Sequence, residues 1–241
     1  MANPVEQFKV KPLFGGADGE IAFTTFTNSA LMMCLAVGLI SLFMIMAMRK
    51  ATVIPGRFQS LAEVFYEFVG GMLKDNVGVE GRKYFPFIFS LFMFVLMGNL
   101  LGMLPYSFTY TSHIVVTFAL ALVVFVGVTI IGFARHGTHF FGMFFPHGAP
   151  ILTAPILIPI ELISYFSRPF SLAVRLFANM TVGHIMLKVL ALFVVMMGVA
   201  GVVPFLFVIG ITVLELGIAL LQAYVFTILS CIYLHDAVHM H

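Results

Sequence analysis

The stretch from Pro150 to Val199 constrains this chain more than any other, because it is apolar almost throughout and yet carries charge at a fixed interval. As a single helix it would be roughly 75 Å long, more than twice the ~30 Å hydrocarbon core of a bilayer, so it must tilt, bend or both. Pro155, Pro159 and Pro169 supply bends, and Pro169 lacks the amide that would bond the carbonyl of Tyr165. Glu161, Arg168 and Arg175 recur every seven residues, and Ser164, Ser171 and Ala178 repeat that rhythm three places on, which draws one stripe along a helix. A charged residue at the centre of a membrane helix costs roughly 2.5 to 3.5 kcal/mol, so a stripe of charged and small side chains does not face lipid tails. It calls for a partner or for water.

The rest of the chain agrees with a membrane setting. With 61% hydrophobic and only 9% charged residues among 241, there is too little polar surface for a soluble globule. The net charge of +2 is small and its basic residues cluster in one loop, which argues against nucleic acid as a partner. Cys34 and Cys231 lie in apolar runs and read as core or lipid-facing residues rather than a disulfide framework. No Cys/His cluster has metal-site spacing, and no metal or other cofactor is expected. Residues 1–25 hold Glu6, Lys9, Lys11, Asp18 and Glu20 without an apolar core, so they read as a polar tail and not as a signal peptide.

Five runs are long and apolar enough to enter a bilayer: about 26–48, 84–104, 114–133, 150–199 and 203–234. Between the first two, about 57–75, Phe58, Leu61, Phe65, Phe68 and Met72 mark the apolar stripe of a helix too charged to span, which predicts an interfacial amphipathic helix. Gly98 and Gly102 form a small-xxx-small pattern that permits close helix contact. Only Gly198, Gly201 and Pro204 separate the last two runs, which should form an antiparallel hairpin of long, tilted helices. The expectation is an all-α integral membrane protein with one membrane domain, 26–241, behind the tail. Arg49, Lys50, Arg57, Lys74, Arg82 and Lys83 concentrate between the first two spans, while the loops near 105–112 and 198–203 carry no charge. The basic side faces the cytoplasm, or the matrix in an organelle, by the positive-inside rule, so the N-terminal tail lies outside and the C-terminus inside.

A hairpin turning near residue 200 sets residues whose numbers add to about 400 at equal depth. His184 then faces Glu215, Asn179 faces Gln222, and Arg175 lies level with Tyr224. His184 falls about 180° around an ideal helix from Arg175, so it needs a local twist or a separate wet pocket. Arg is protonated at every relevant pH and acts only as a fixed charge, whereas Glu and His exchange protons near neutrality. By depth, His184 and Glu215 belong to an outer half-path, Glu161 to an inner one, and Arg175 lies between them. A carrier with its own acid, passing along the small-residue stripe, would close the circuit. Plainer readings stand beside these: Arg168 and Lys188 snorkel or pair locally, Glu161 partners Arg168, and His113, His136, His139 and His147 are solvated at span ends.

RPFSLAVRLFANMTVGH at 168–184, LELGIALLQAYVFTILSCIYLHD at 214–236 and the five-span layout resemble the subunit a family of F-type ATP synthase, across essentially the whole chain from the first span on. The resemblance implies a non-catalytic stator subunit in the bacterial inner membrane, set against a rotating ring of c subunits and held by b-type peripheral-stalk subunits beside the remaining subunits. It implies that protons load and unload on the ring through two offset half-channels. In that scheme Arg175 is the essential arginine, Asn179 and Gln222 are its polar companions, and Glu161 with Ser164 beside it serves the inner half-channel. Many bacterial members carry an acid where this chain has His184 and a histidine where it has Glu215. The order here is that of mitochondrial-type members, as is the YLHD ending, which implies a proton-using enzyme of the bacterial lineage nearest mitochondria. The chain has no nucleotide-binding motif, so ATP chemistry would belong to other subunits. Two rival classes fit less well. A proton-coupled secondary transporter would show internal repeats and paired broken helices. A haem-bearing subunit would need facing histidines at matched depth, and His184 has only Glu215 opposite.

Overall fold

The computed structural model describes residues 12–14, 26–49, 52–104, 108–137, 140, 142 and 154–239. Most of the expected outer tail, and His139, His147 and Pro150, lie outside the described residues. Strand β1 (Pro12–Phe14) pairs antiparallel with the two-residue strand β2 (Phe26–Thr27). Everything else that is regular is helical. Helix α1 (Asn28–Met48) begins where the Thr27 hydroxyl accepts from the Ala30 amide at 3.3 Å, satisfying one of the donors a helix start leaves open. Helix α2 (Arg57–Val77) stops at Gly78, whose φ of 82° no β-branched residue would hold, and a 3-10 helix over Val79–Tyr84 leads into α3 (Phe85–Gly102). Helix α4 (Ile114–His136) ends the same way, at Gly137 with φ 55°. Helix α5 (Ala154–Met196) continues through Pro159 and Pro169, and a 3-10 turn over Gly198–Gly201 returns the chain into α6 (Val202–Val238).

Five of these helices, α2 excepted, are long and apolar enough to cross a bilayer. The protein is an all-α integral membrane fold of five such helices plus one amphipathic helix. Helices α5 and α6 run 43 and 37 residues, roughly 65 and 55 Å, and so cannot stand upright in a ~30 Å core. One face of each is buried: Leu172, Ala173 and Leu176 join Ala223 and Phe226 in a core shared with α2, α3 and α4, and Met180 and Ala219 are buried as well. Their opposite faces, with Phe166, Phe170, Val174 and Val182 on α5 and Leu216, Leu220 and Leu221 on α6, are exposed. Such a surface is stable only against lipid or another protein.

Two local expectations need correction. On α2 the buried residues are Gln59, Ala62, Val69, Met72, Leu73 and Val77, whereas Phe58, Leu61 and Phe68 of the predicted stripe are exposed. Phe58 and Phe68 turn outward, while Ala62, Val69 and Leu73 are buried on the inner side. Gly98 and Gly102 do bring a close neighbour, but it is the short 3-10 helix Tyr110–Ser112 and the residue before it, not another spanning helix. A Cβ on Gly98 would collide with the Tyr110 ring, and one on Gly102 would come within 2.7 Å of the Thr109 hydroxyl. Tyr110 is buried, and its hydroxyl donates to the Phe94 carbonyl at 3.0 Å, which pins this segment on α3.

Candidate functional site

The hairpin gathers polar groups from sequence positions far apart. The Asn179 Nδ2 donates to the Gln222 Oε1 at 2.6 Å, and the His184 Nδ1 lies 3.3 Å from the Glu215 Oε1. Both contacts occur at the depths that a turn near residue 200 dictates. Glu215 and Gln222 are 2% and 1% exposed, so α6 holds a carboxyl and an amide in a nearly dry interior. Gly183 makes room for the first of them: a Cβ there would stand 2.6 Å from the Glu215 Oε1. Neither carboxyl oxygen of Glu215 nor the Nε2 of Gln222 has a hydrogen-bond partner among the described residues. Leaving such atoms unsatisfied costs about 1–3 kcal/mol each, more for an ionised group, which is a cost that packing alone would not select.

The second face of His184 meets Thr109. Thr109 donates its one hydroxyl proton to the Gly102 carbonyl at 3.2 Å, and its oxygen lies 3.1 Å from the His184 Nε2. With that proton directed at Gly102, the tautomer that fits this arrangement has its hydrogen on Nε2, donating to Thr109. Nδ1 therefore presents a lone pair to Glu215 when the ring is neutral. A proton on either the ring nitrogen or the carboxyl would make this contact attractive. The segment 109–113 completes the surroundings: Thr181 donates to the Ser112 carbonyl at 3.3 Å, and Asn99 of α3 donates to the Ala219 carbonyl at 3.2 Å. The Oδ1 of Asn99, the hydroxyls of Thr111 and Ser112 and the Nε2 of His113 are also buried without partners among the described residues. His113 is thus not a solvated end residue. It stacks on Phe108 at 4.9 Å, and burial lowers its pKa.

Arg175 stands elsewhere. It lies at the midpoint of α5, exposed, and makes no hydrogen bond or ion pair among the described residues. His184 is turned into the bundle while Arg175 is exposed, so the two lie on different sides of α5. Glu161 is half-buried, and Ser164 and Ser171 are exposed, on the part of α5 toward its N-terminus. Arg168 does not pair with Glu161. Its guanidinium meets Asp236 near the end of α6 at 2.9 Å and lies over the rings of Tyr165 and Tyr233 at 5.5 and 5.1 Å. His136 is likewise tied down, with Nε2 3.2 Å from the Val238 carbonyl. No group of three metal-binding side chains occurs among the described residues.

Sequence reasoning passed over Asn99, Thr109 and Asp236. For Asn99 there was a signal, an amide standing alone in an uncharged span; for Thr109 there was none, since its role depends on where the segment before α4 folds.

A bundle of five spanning helices, with an ionisable layer buried between the last two and a fixed cation turned outward, defines a multi-pass membrane protein with a polar interior. Comparison with known proteins makes this specific. The family described as ATP synthase A chain matches residues 30–235, and the chain belongs to that family. It is 71% identical to ATP synthase subunit a of Paramagnetospirillum magneticum over the whole of both chains. It is 67% identical to the subunit a of Rhodospirillum rubrum, again over the whole of both, and 52% identical to that of Parvibaculum lavamentivorans over 98% of this chain and 94% of the relative.

Proposed function

We propose that this chain is the proton-translocating stator subunit of an F-type ATP synthase, non-catalytic in itself, seated in a bacterial inner membrane with its N-terminus periplasmic and its C-terminus cytoplasmic. The observation that carries the reading is the division of labour across α5: exchangeable groups face inward as a layer, and a permanent charge faces outward alone. In this reading His184 and Glu215, steadied by Thr109, pass protons along the outer half-channel. Glu161 and Ser164 serve the inner one. Asn179 and Gln222 hold the layer between Arg175 and the outer pair. The exposed faces of α5 and α6 are covered by a ring of c subunits, and b-type stalk subunits hold the chain against rotation.

Arg175 then has two tasks. Its charge draws each ring carboxylate into the ionised form, and it denies protons a direct route between the half-channels, because a guanidinium does not give up its proton. In membrane vesicles, Arg175→Ala should abolish ATP-driven proton pumping with assembly intact, and Arg175→Lys should fail as well, since an ammonium can be deprotonated and lacks the planar fork. Near-normal ATP synthesis by either variant would refute the assignment.

A further inference from the structure

Away from the hairpin, α2, the 3-10 helix that follows it and the start of α3 line a cavity of about 520 Å³ between Tyr66, Gly70, Lys74, Gly78, Arg82 and Phe85. Its two cations, Lys74 and Arg82, are exposed and have no ion pair among the described residues. The nearby acids are otherwise engaged or turned away: Glu80 pairs with Arg135, and Asp75 does not line the cavity. The floor is aromatic, with the rings of Tyr66 and Phe85 4.5 Å apart, and Gly70 leaves it open because a Cβ there would meet only Phe85, at 3.7 Å. The cavity thus joins a cationic mouth to an apolar base. It sits between an amphipathic helix that exposes Phe58, Leu61, Val64 and Phe68 and the start of the spanning helix α3, which places it at the membrane surface.

We infer that this cavity binds one anionic phospholipid, its phosphate held between the Lys74 ammonium and the Arg82 guanidinium and the upper part of an acyl chain laid on Tyr66 and Phe85. Arg82 supplies a planar fork for phosphate oxygens and Lys74 a mobile point charge. Two cations beside an anionic surface favour such a lipid over a neutral one, and the aromatic floor favours a lipid over free phosphate. The site is independent of the proton-relay reading.

The test uses the full-length protein with the subunits that co-purify. It is exchanged into nanodiscs of phosphatidylcholine containing a minor fraction of phosphatidylglycerol, and retained lipid is counted by native mass spectrometry. Wild type and Lys83→Gln, whose side chain does not line the cavity, should retain phosphatidylglycerol in preference to phosphatidylcholine. Lys74→Gln with Arg82→Gln should lower that preference roughly 25-fold, the effect of two interfacial cations. Gly70→Leu, which fills the floor without changing charge, should lower retention too, with an unchanged melting temperature showing that the fold persists. Equal retention by the double variant and wild type would overturn the inference. So would displacement of the lipid by millimolar inorganic phosphate, or a carbodiimide crosslink from Lys74 to a carboxylate of another subunit.

Discussion

At the scale of single residues, the informative feature is how little separates His184 from Glu215. One imidazole nitrogen lies against Thr109 and the other stands 3.3 Å from a carboxyl oxygen that has no hydrogen-bond partner among the described residues, a spacing across which, in the proposed relay, one proton would pass. A coupled pair of this kind titrates as a unit. Removing one member of a buried ion pair typically costs about 3–5 kcal/mol, and His184→Leu or Glu215→Leu should each depress proton pumping strongly. The exchange, His184→Glu with Glu215→His, should recover a substantial part, because one acid, one imidazole and their depth are kept. Gly183→Ala should act like a partial loss of Glu215, since the added methyl takes the space of its Oε1 while leaving every ionisable group present. Pumping rates in vesicles, normalised to assembled protein by immunoblot, decide the matter. An exchange variant no better than the product of the two singles would mean that the residues do not relay as a pair.

At the scale of elements, the hairpin was readable and the fine contacts were not. Turn residues and two long apolar runs fix which residues of α5 and α6 share a depth, so the partners Asn179–Gln222 and His184–Glu215 follow from numbering alone. The face of α2 did not follow, because in a membrane the larger apolar residues belong as well to the lipid side as to the core, and hydrophobicity no longer marks the inside. Nor did the partner of Arg168, since local spacing offers Glu161 while the fold delivers Asp236 from the far end of α6. That ion pair ties the N-terminal half of α5 to the C-terminal end of α6, with Tyr165 also meeting Thr129 of α4 at 2.6 Å. Both charged side chains remain partly exposed, at 24% and 35%, so a double-mutant cycle of Arg168→Gln and Asp236→Asn should give a coupling of only about 0.5–1 kcal/mol. Arg168→Gln should cost more than Asp236→Asn, because it also removes two cation–π contacts worth about 0.5–1 kcal/mol each. Thermal unfolding of the purified protein in detergent measures both, and the reverse order would assign the tie to the carboxylate.

At the scale of the whole molecule, orientation rests on the basic segment between α1 and α3. Tyr110 is too deeply buried to report on it, whereas Leu104 is exposed at one end of the bundle and Ala134 at the other. In a chain lacking Cys34 and Cys231, Leu104→Cys should react with an impermeant thiol reagent from outside and Ala134→Cys from inside. Opposite labelling would exchange the two proposed half-channels. The unequal charge of the two long helices bears, finally, on how the protein is made. Helix α5 brings Glu161, Arg168, Arg175 and Lys188 into the bilayer, at roughly 2.5–3.5 kcal/mol for each placed near its centre, while α6 brings Glu215 and, close to its end, Asp236. During synthesis α5 emerges first and is the poorer candidate for leaving the translocon by itself. It becomes a good one only when α6 has followed, covering its inner face and supplying partners for Asn179, His184 and Arg168. A nascent chain stopped at Gly201 should therefore leave α5 open to protease in a microsome or inverted-vesicle assay, and the completed chain should protect it. On this account α6, following α5 out of the ribosome, would carry it into the membrane.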